Sequence, residues 1–298
     1  MEASGREVRT RERTIGILCA VLSVILFSSF VLVSRLGYSS SLALRDIVAL
    51  RFGIGGALLF PALLRHGLTG VRWRDAGLLA VLGGLGFALL AYTGFALVPA
   101  ADGTVVLHGT LPLTTFAVLR VASRQASPRT GRAGFVLIGI GVALIACNSL
   151  TGATLRQVIG DGLLLLASVS WSAYGILVRR LGLPAAQSAA IVAVFSMCCF
   201  APIYAVLPGS SISQVGMQAL LLQAVVQGVL IGAVSIFVYT RAVTALGPAG
   251  TAMFTAAVPC VTTLVAMPLL SEFPTVAEWT GMAVVTLGMI VAVRTTRT

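Results

Sequence analysis

The sequence predicts an all-α integral membrane protein with ten transmembrane helices, arranged as two inverted five-helix repeats. Three observations lead to this prediction. The chain is 58% hydrophobic and only 10% charged, with a mean hydropathy of +1.02, whereas soluble domains are about 25% charged. Apolar runs of about 20 residues, each long enough to span a bilayer, fill almost its whole length. Finally, the stretch 92–141 recurs as 239–288 at a constant spacing of 147 positions, which marks an internal repeat.

Charged and Pro/Gly-rich joints separate the ten apolar runs. They lie near residues 14–34, 46–64, 75–97, 103–120, 132–150, 161–179, 186–207, 217–240, 248–269 and 275–293. We therefore expect residues 14–150 and 161–293 to form the two halves, with short tails at 1–13 and 294–298. The basic tail before the first run resembles a signal peptide. That run is about 20 residues long and lacks an A-x-A cleavage site, which predicts an uncleaved first span.

The net charge of +11 is explained by membrane orientation. The arginines lie at the ends of the runs rather than on one soluble face, which argues against nucleic-acid binding. If the N-terminus is cytoplasmic, only four of the 20 basic residues fall outside or in the outer half of the membrane: Arg35, Arg45, Arg51 and Arg156. This matches the positive-inside rule. We expect a multi-pass protein of the inner (cytoplasmic) membrane with both termini in the cytoplasm.

The two halves are predicted to enter the membrane from opposite sides, because each contains an odd number of helices. Equivalent loops should then have opposite charge preferences. The loop between spans four and five carries Arg120, Arg124, Arg129 and Arg132, whereas its copy carries Glu272 and Glu278 and no arginine. The loop after span three has Asp102, and its copy has Arg241. The loop charges thus favour the inverted arrangement.

The second copy resembles the EamA-type family of the drug/metabolite transporter superfamily. The matching residues are Ala245-Leu246, Gly250, Pro259, Glu272, Gly281 and Gly288, and Leu50-Arg51-Phe52 is similar to the family's second-helix arginine. The first copy departs from the pattern because Gln125 stands where Glu272 aligns, so a shared role for the acidic position does not follow. The resemblance implies two five-helix repeats and export of amino acids or related metabolites.

The repeat places two matched polar stripes on helix faces, since positions i, i+4, i+8 and i+11 share a face. They are Thr104, His108, Pro112 and Thr115, and Thr251, Thr255, Pro259 and Thr262. We expect both stripes to face away from lipid. Pro112 and Pro259 are predicted to kink the middle of their helices, while Gly103 and Gly250 allow close helix approach. These residues are interpreted either as a pair of gating helices or as packing features.

Polar and aromatic residues within the spans are candidates for a substrate cavity, because polar groups are costly in hydrocarbon. Besides Thr104, Thr251 and Thr255, the candidates are His108, Arg51, Trp171, Tyr174 and Gln227. For His108, one interpretation is ligand contact or proton transfer, and the other is a structural hydrogen bond. Arg51 is interpreted either as recognising an anion or carboxylate, or as reaching the interface by snorkelling.

Aromatic and amide pairs also allow two interpretations. Trp171 and Tyr174 share a helix face and are expected either to form a platform for an organic substrate or to pack in the core. Gln227 shares a face with Gln223, and the pair suits hydrogen bonding between helices. The five cysteines fall within apolar runs without a C-x-x-C spacing, and we interpret them as buried small hydrophobes.

The sequence favours a secondary transporter of a small organic solute, working by alternating access through a central cavity. An intramembrane enzyme is disfavoured because no H-E-x-x-H zinc helix or paired-carboxylate motif is found, so no catalytic residue, metal or cofactor is expected. A channel or scaffold is the remaining alternative. No carboxylate lies in the middle of a span, which favours facilitated diffusion or exchange over proton coupling. The expected partners are the lipid bilayer and the solute, with the protein a monomer or homodimer.

Overall fold

The computed structural model describes residues 2–39, 42–123, 132–150, 154–270 and 273–295, and these residues form helices and connecting turns without β-strands. In the first half the helices are α1 (Glu2–Ser39), α2 (Leu44–His66), α3 (Trp73–Gly83), α4 (Leu85–Leu97), α5 (Ala100–Thr104), a first π-helix (Val105–Gly109), α6 (Leu111–Ser123) and α7 (Arg132–Leu150). In the second half they are α8 (Leu155–Leu181), α9 (Ala185–Val206), a 3-10 turn (Ile212–Gln214), α10 (Met217–Gln223), a second π-helix (Ala224–Ser235), α11 (Ile236–Thr255), α12 (Val258–Leu270) and α13 (Val276–Thr295).

Seven helical stretches among the described residues are long and apolar enough to cross a membrane. They are Thr10–Ser34, Leu44–His66, Trp73–Leu97, Asp102–Ala122, Leu155–Leu181, Ala185–Val206 and Met217–Thr255. Two shorter apolar helices, Ala133–Leu144 and Val258–Leu269, fall at the predicted fifth and ninth spans. The chain is therefore a multi-pass membrane protein, and its division into ten crossings stays a prediction.

The 39-residue stretch Met217–Thr255 covers the predicted eighth span and the start of the ninth. A glycine divides it. Gly247 has φ 78° and ψ 163°, a positive-φ conformation that glycine adopts readily because it has no Cβ. Pro248 follows, and its ring excludes the usual helical hydrogen bond. The polypeptide direction thus changes between the predicted boundaries at residues 240 and 248.

The helices around Pro112 and Pro259 are interrupted, which corrects the prediction of kinks in the middle of continuous helices. The first π-helix and a bend at Thr110 precede α6, and a turn at Ala256–Ala257 precedes α12. Each proline is consequently the second residue of a new helix, where its missing N–H is not required. The first residues of these helices, Leu111 and Val258, are themselves 147 positions apart, so the interruption recurs at the same place in both copies.

Two glycine pairs bring α7 and α13 into direct backbone contact. A Cβ added to Gly141 would lie 2.7 Å from the carbonyl oxygen of Gly281, and one added to Gly288 would lie 2.9 Å from that of Gly134. Gly134 and Gly281 are repeat equivalents, as are Gly141 and Gly288. The earlier glycine of α7, Gly134, contacts the later glycine of α13, Gly288, and Gly141 contacts Gly281. The two helices therefore cross antiparallel, and each glycine contacts the one that is not its own repeat equivalent.

The first helix of each half packs mainly against the other half. Helix α1 contacts α11, α12 and the second π-helix, whereas α8 contacts α4, α6 and the first π-helix. A continuous apolar core runs through these helices. The two halves are therefore interlocked rather than lying side by side.

Some sequence predictions concern residues that the structure does not describe or places differently. Residues 124–131 and Glu272 lie outside the described residues, so the charge reversal between these two loops stays a prediction. Cys198 and Cys199 are exposed, because they lie on the outer side of α9. The interpretation that the cysteines are buried is wrong for this pair.

Candidate functional site

A small cavity with buried lining residues lies where the two halves meet. Its volume is ≈ 10 Å³, close to the least space that can hold one water molecule. Residues from both halves line it: Phe27, Phe30, Arg51, Phe87, Leu107, His108, Leu111, Trp171 and Ile231. Three of the predicted cavity residues, Arg51, His108 and Trp171, are therefore brought together here. A solute of metabolite size can enter only if the surrounding helices separate.

Arg51 is buried in the core of the helix bundle. The residue is 1% exposed, which does not fit the snorkelling interpretation. Aromatic rings surround its guanidinium carbon at distances of 5.5 to 5.9 Å, and they belong to Phe30, Phe52, Phe87 and Tyr92. Such cation–π contacts partly compensate a desolvated cation. Nε and Nη1 of Arg51 have no hydrogen-bond partner within the described parts of the chain.

A glycine contact sets the position of Arg51 against the second half. A Cβ on Gly55 would lie 2.6 Å from the carbonyl carbon of Gly232, and a Cβ on Gly232 would collide with the carbonyl oxygen of Arg51. Helix α2 and the second π-helix therefore touch through their backbones, which only small residues permit. Because Gly55 lies about one turn after Arg51, this contact fixes the arginine at the junction of the halves.

His108 lies in the first π-helix, just before the bend at Thr110. It is 3% exposed, and its ring packs 5.3 Å from that of Phe27. Nδ1 of His108 has no hydrogen-bond partner among the residues with described positions. The extra residue per turn of a π-helix changes the direction of the following side chains, and such segments are frequent at functional sites.

Trp171 is the centre of an aromatic cluster at the other side of the cavity. It is 2% exposed, with ring centroids 4.5 Å from Phe87, 4.9 Å from Tyr239 and 5.2 Å from Tyr174. Its Nε1, which is a donor only, is buried and has no hydrogen-bond partner among the described residues. Tyr174 does not line the cavity. Its hydroxyl instead forms a 2.7 Å hydrogen bond with the hydroxyl of Thr240.

A cluster of hydroxyl groups holds α8 against the helix that begins after the bend. Thr114 Oγ1 lies 3.0 Å from Ser168 Oγ and 2.8 Å from Ser172 Oγ, and Thr115 Oγ1 lies 2.9 Å from Ser172 Oγ. Ser168 and Ser172, which form these hydrogen bonds, lie on either side of Trp171 in the sequence. The Trp171 indole itself lines the cavity. They also tie the first half of the chain to the second.

The other predicted cavity residues are buried but do not line the cavity. Thr251 and Thr255 donate to backbone carbonyl groups of their own helix, at 2.9 Å to Gly247 and 2.8 Å to Ala252. Gln227 accepts a 2.8 Å hydrogen bond from the Tyr92 hydroxyl and donates at 3.0 Å to Ser34 Oγ. Thr104 is fully buried. Both polar stripes are buried, as their pattern predicted.

Apolar lining residues were absent from the sequence prediction, because an apolar side chain in an apolar helix carries no distinguishing signal. The aromatic residues Tyr92 and Tyr239 did carry one. They are repeat equivalents, and Tyr92 lies 5.7 Å from the Arg51 guanidinium while Tyr239 lies 4.9 Å from Trp171. The repeat spacing is therefore a signal that could have pointed to these two residues, which the sequence prediction did not include among the cavity candidates. Gly103 allows close packing against Phe95 and Val98, whereas Gly250 is less crowded.

The model of the EamA-like transporter family matches residues 14–147 and 158–294. One similar solved structure, titled only as the crystal structure of a protein, has 19% sequence identity and a TM-score of 0.70, covering 97% of this chain and 98% of the other. At this identity the likeness concerns the fold alone. No curated protein sequence matches the chain significantly.

Proposed function

Because the chain belongs to the EamA-like transporter family, we propose that it is a secondary transporter moving small organic metabolites, such as amino acids, by alternating access through the central cavity. The proposed direction is export or exchange. The proposed setting is the inner membrane, with both termini in the cytoplasm and the protein a monomer or homodimer.

The observation that carries this proposal is the small cavity between the halves. Arg51 and His108 come from the first half and Trp171 from the second, so movement of one half against the other changes the cavity directly. Its volume of ≈ 10 Å³ is too small for an organic solute. We interpret this structure as a closed conformation, from which each half swings aside to admit solute from one face of the membrane.

The internal repeat supports a rocking mechanism. Two halves of inverted topology exchange their roles when the protein turns from one face to the other. The antiparallel crossing of α7 and α13, with Gly141 against Gly281 and Gly288 against Gly134, is the contact that such a pair of inverted halves would make. The matched interruptions before Pro112 and Pro259 provide equivalent flexible points in each half.

Solute counterflow into proteoliposomes tests the proposal. Liposomes containing the purified full chain would be loaded with an unlabelled panel of amino acids and organic acids, and entry of each isotopically labelled solute would be followed by mass spectrometry. A carrier gives saturable entry that is stimulated by the same solute inside. Flux that never saturates would identify a channel, and no flux across the panel would contradict the transport function.

The alternatives are a channel-like or scaffold protein and, less favoured, an intramembrane enzyme. A scaffold does not require a closed cavity with buried polar atoms at the junction of its halves. For an enzyme, the described residues hold no group of three or more His, Cys, Asp or Glu side chains suited to a metal. The counterflow experiment distinguishes a carrier from a channel and from a scaffold.

A further inference from the structure

The cavity presents hydrogen-bond donors and a positive charge to its contents. Arg51 Nε and Nη1 and Trp171 Nε1 can only donate hydrogen bonds, and all three are buried without a partner in the part of the chain that is described. None of the lining residues is a carboxylic acid. The site therefore offers what a negatively charged acceptor requires.

Asp46, the carboxylate on the same helix as Arg51, forms its hydrogen bonds with other residues. Asp46 accepts hydrogen bonds of 2.8 to 3.0 Å from Tyr204, Ser210 and Ser211, and its Oδ1 lies 3.8 Å from Arg45 Nε. These contacts fix the start of α2 to the loop after α9. Among the described residues, no carboxylate forms an ion pair with Arg51.

An unpaired charge within a membrane bundle is costly, and buried charges are normally paired. The rings around Arg51 reduce this cost through their π faces, but Nε and Nη1 have no hydrogen-bond partner within the described residues. A ligand carboxylate would supply both the opposite charge and acceptor oxygens for charge-assisted hydrogen bonds with the unpartnered N–H groups of Arg51. The third donor, Trp171 Nε1, lines the same cavity.

We propose that the cavity binds an organic monoanion, consisting of a carboxylate on an apolar body without an ammonium group. This inference rests on the proposed transport function and narrows its substrate class. The carboxylate binds Arg51 and Trp171 as the cavity opens, and the apolar body packs against Phe27, Phe87 and Leu111. This binding mode makes an organic acid a better substrate than an amino acid with the same carbon skeleton.

An amino acid fits less well because its ammonium group has three N–H donors and a positive charge. Among the lining side chains, only His108 can accept a hydrogen bond from it, through an unprotonated ring nitrogen. The remaining N–H groups would be buried without acceptors, which lowers affinity. The ammonium charge would also lie in the same small cavity as the Arg51 guanidinium, which opposes binding further.

Three phenyl compounds that differ in their charged groups test this inference: 3-phenylpropionate has a carboxylate, phenylalanine has a carboxylate and an ammonium group, and 2-phenylethylamine has an ammonium group only. Ligand stabilises a protein according to its concentration relative to Kd, so thermal unfolding of the detergent-purified full chain, titrated with each compound, gives the three affinities. We expect 3-phenylpropionate to bind about tenfold or more tightly than phenylalanine, and 2-phenylethylamine not to stabilise. Acetate, which lacks the apolar body, should bind more weakly than 3-phenylpropionate. Equal or tighter binding of phenylalanine, stabilisation by the amine, or no binding of 3-phenylpropionate would overturn the inference.

Variants locate the binding. Arg51→Gln should raise the Kd for 3-phenylpropionate by about 10- to 100-fold, the range for a hydrogen bond to a charged group, and remove the preference over phenylalanine. Arg65→Gln, on the exposed part of the same helix, is the matched control. Trp171→Phe keeps an aromatic side chain, although a smaller one, and removes the indole N–H donor, so Kd should rise by about two- to tenfold, with Trp279→Phe as its control. If Arg51→Gln does not fold, Trp171→Phe tests the inference by itself. An unchanged Kd for 3-phenylpropionate in Trp171→Phe would overturn the inference.

The outcomes separate this inference from the transport proposal. Binding of the anion at Arg51 with no counterflow of any solute would contradict transport while supporting the anion site. Saturable counterflow of amino acids, with no preference for the anion, would support transport and contradict the anion site.

Discussion

The Tyr92 hydroxyl donates a 2.8 Å hydrogen bond to Gln227 Oε1, joining the first half of the chain to the second beside Arg51. Both side chains are fully buried. Replacing Gln227 with Leu leaves the tyrosine hydroxyl without its acceptor, and a buried unsatisfied group costs about 1–3 kcal/mol. We expect Gln227→Leu to lower the midpoint of thermal unfolding in detergent, whereas Gln218→Leu, an exposed position before the same π-helix, should change it little.

A double-mutant cycle isolates this hydrogen bond. Tyr92→Phe and Gln227→Leu remove the two partners separately and together. Coupling of about 0.5–1.5 kcal/mol in the free energy of unfolding is expected for one buried hydrogen bond. Strictly additive effects would mean that the two side chains stabilise the protein independently.

Gly141 is predicted to tolerate no side chain. A Cβ there would meet the Gly281 carbonyl oxygen at 2.7 Å, so α7 and α13 would have to separate, and overpacking of this kind costs about 1–3 kcal/mol. Gly141→Ala should therefore destabilise the protein even though Ala is the better helix former. The repeat equivalent Gly288→Ala should act alike.

Gly139→Ala is the control for that comparison, because a Cβ at Gly139 lies no nearer than 3.9 Å to another side chain. It should be neutral or slightly stabilising in the same unfolding assay. Equal effects of Gly139→Ala and Gly141→Ala would show that the close crossing of the two helices does not limit stability.

The sequence predicted the helical class and the repeat well, since hydropathy and a constant spacing are properties of the chain itself. It left open whether Arg51 recognises an anion or reaches an interface, whereas in the structure the guanidinium is enclosed by rings from α1, α2 and α4. Those rings come from distant parts of the sequence, and their convergence depends on glycine contacts such as Gly55 with Gly232. Gln227 was assigned to the cavity because it is polar within a span, but its hydrogen bonds with Tyr92 and Ser34 hold it between helices.

The prolines are predicted to control which face of the cavity opens. Each begins a helix after an interruption, so Pro112→Ala and Pro259→Ala should restore a backbone donor and favour continuation of the preceding helix. Because the two positions are repeat equivalents, the variants should bias the protein toward opposite faces. Labelling of single cysteines introduced as Ala101→Cys and Thr244→Cys measures this, with one rate rising as the other falls in each variant.

Pro61→Ala, which also changes a proline within a helix but lies away from the interruptions, controls for a general effect of proline loss. It should leave both labelling rates unchanged. If Pro112→Ala and Pro259→Ala shift the two rates in the same sense, or shift neither, the prolines serve packing alone.

The central claim is that the cavity opens to each side of the membrane in turn. Single cysteines at lining positions from each half, Leu111→Cys and Ile231→Cys, test it in a background without the native cysteines. A membrane-impermeant maleimide would be applied to intact cells and to inside-out vesicles, with the lipid-facing variant Leu165→Cys as the control that stays unlabelled. Both lining cysteines should react from either side, although the cavity of ≈ 10 Å³ is too small to admit the maleimide in this structure. Labelling from one side only, or from neither, would contradict alternating access through this cavity.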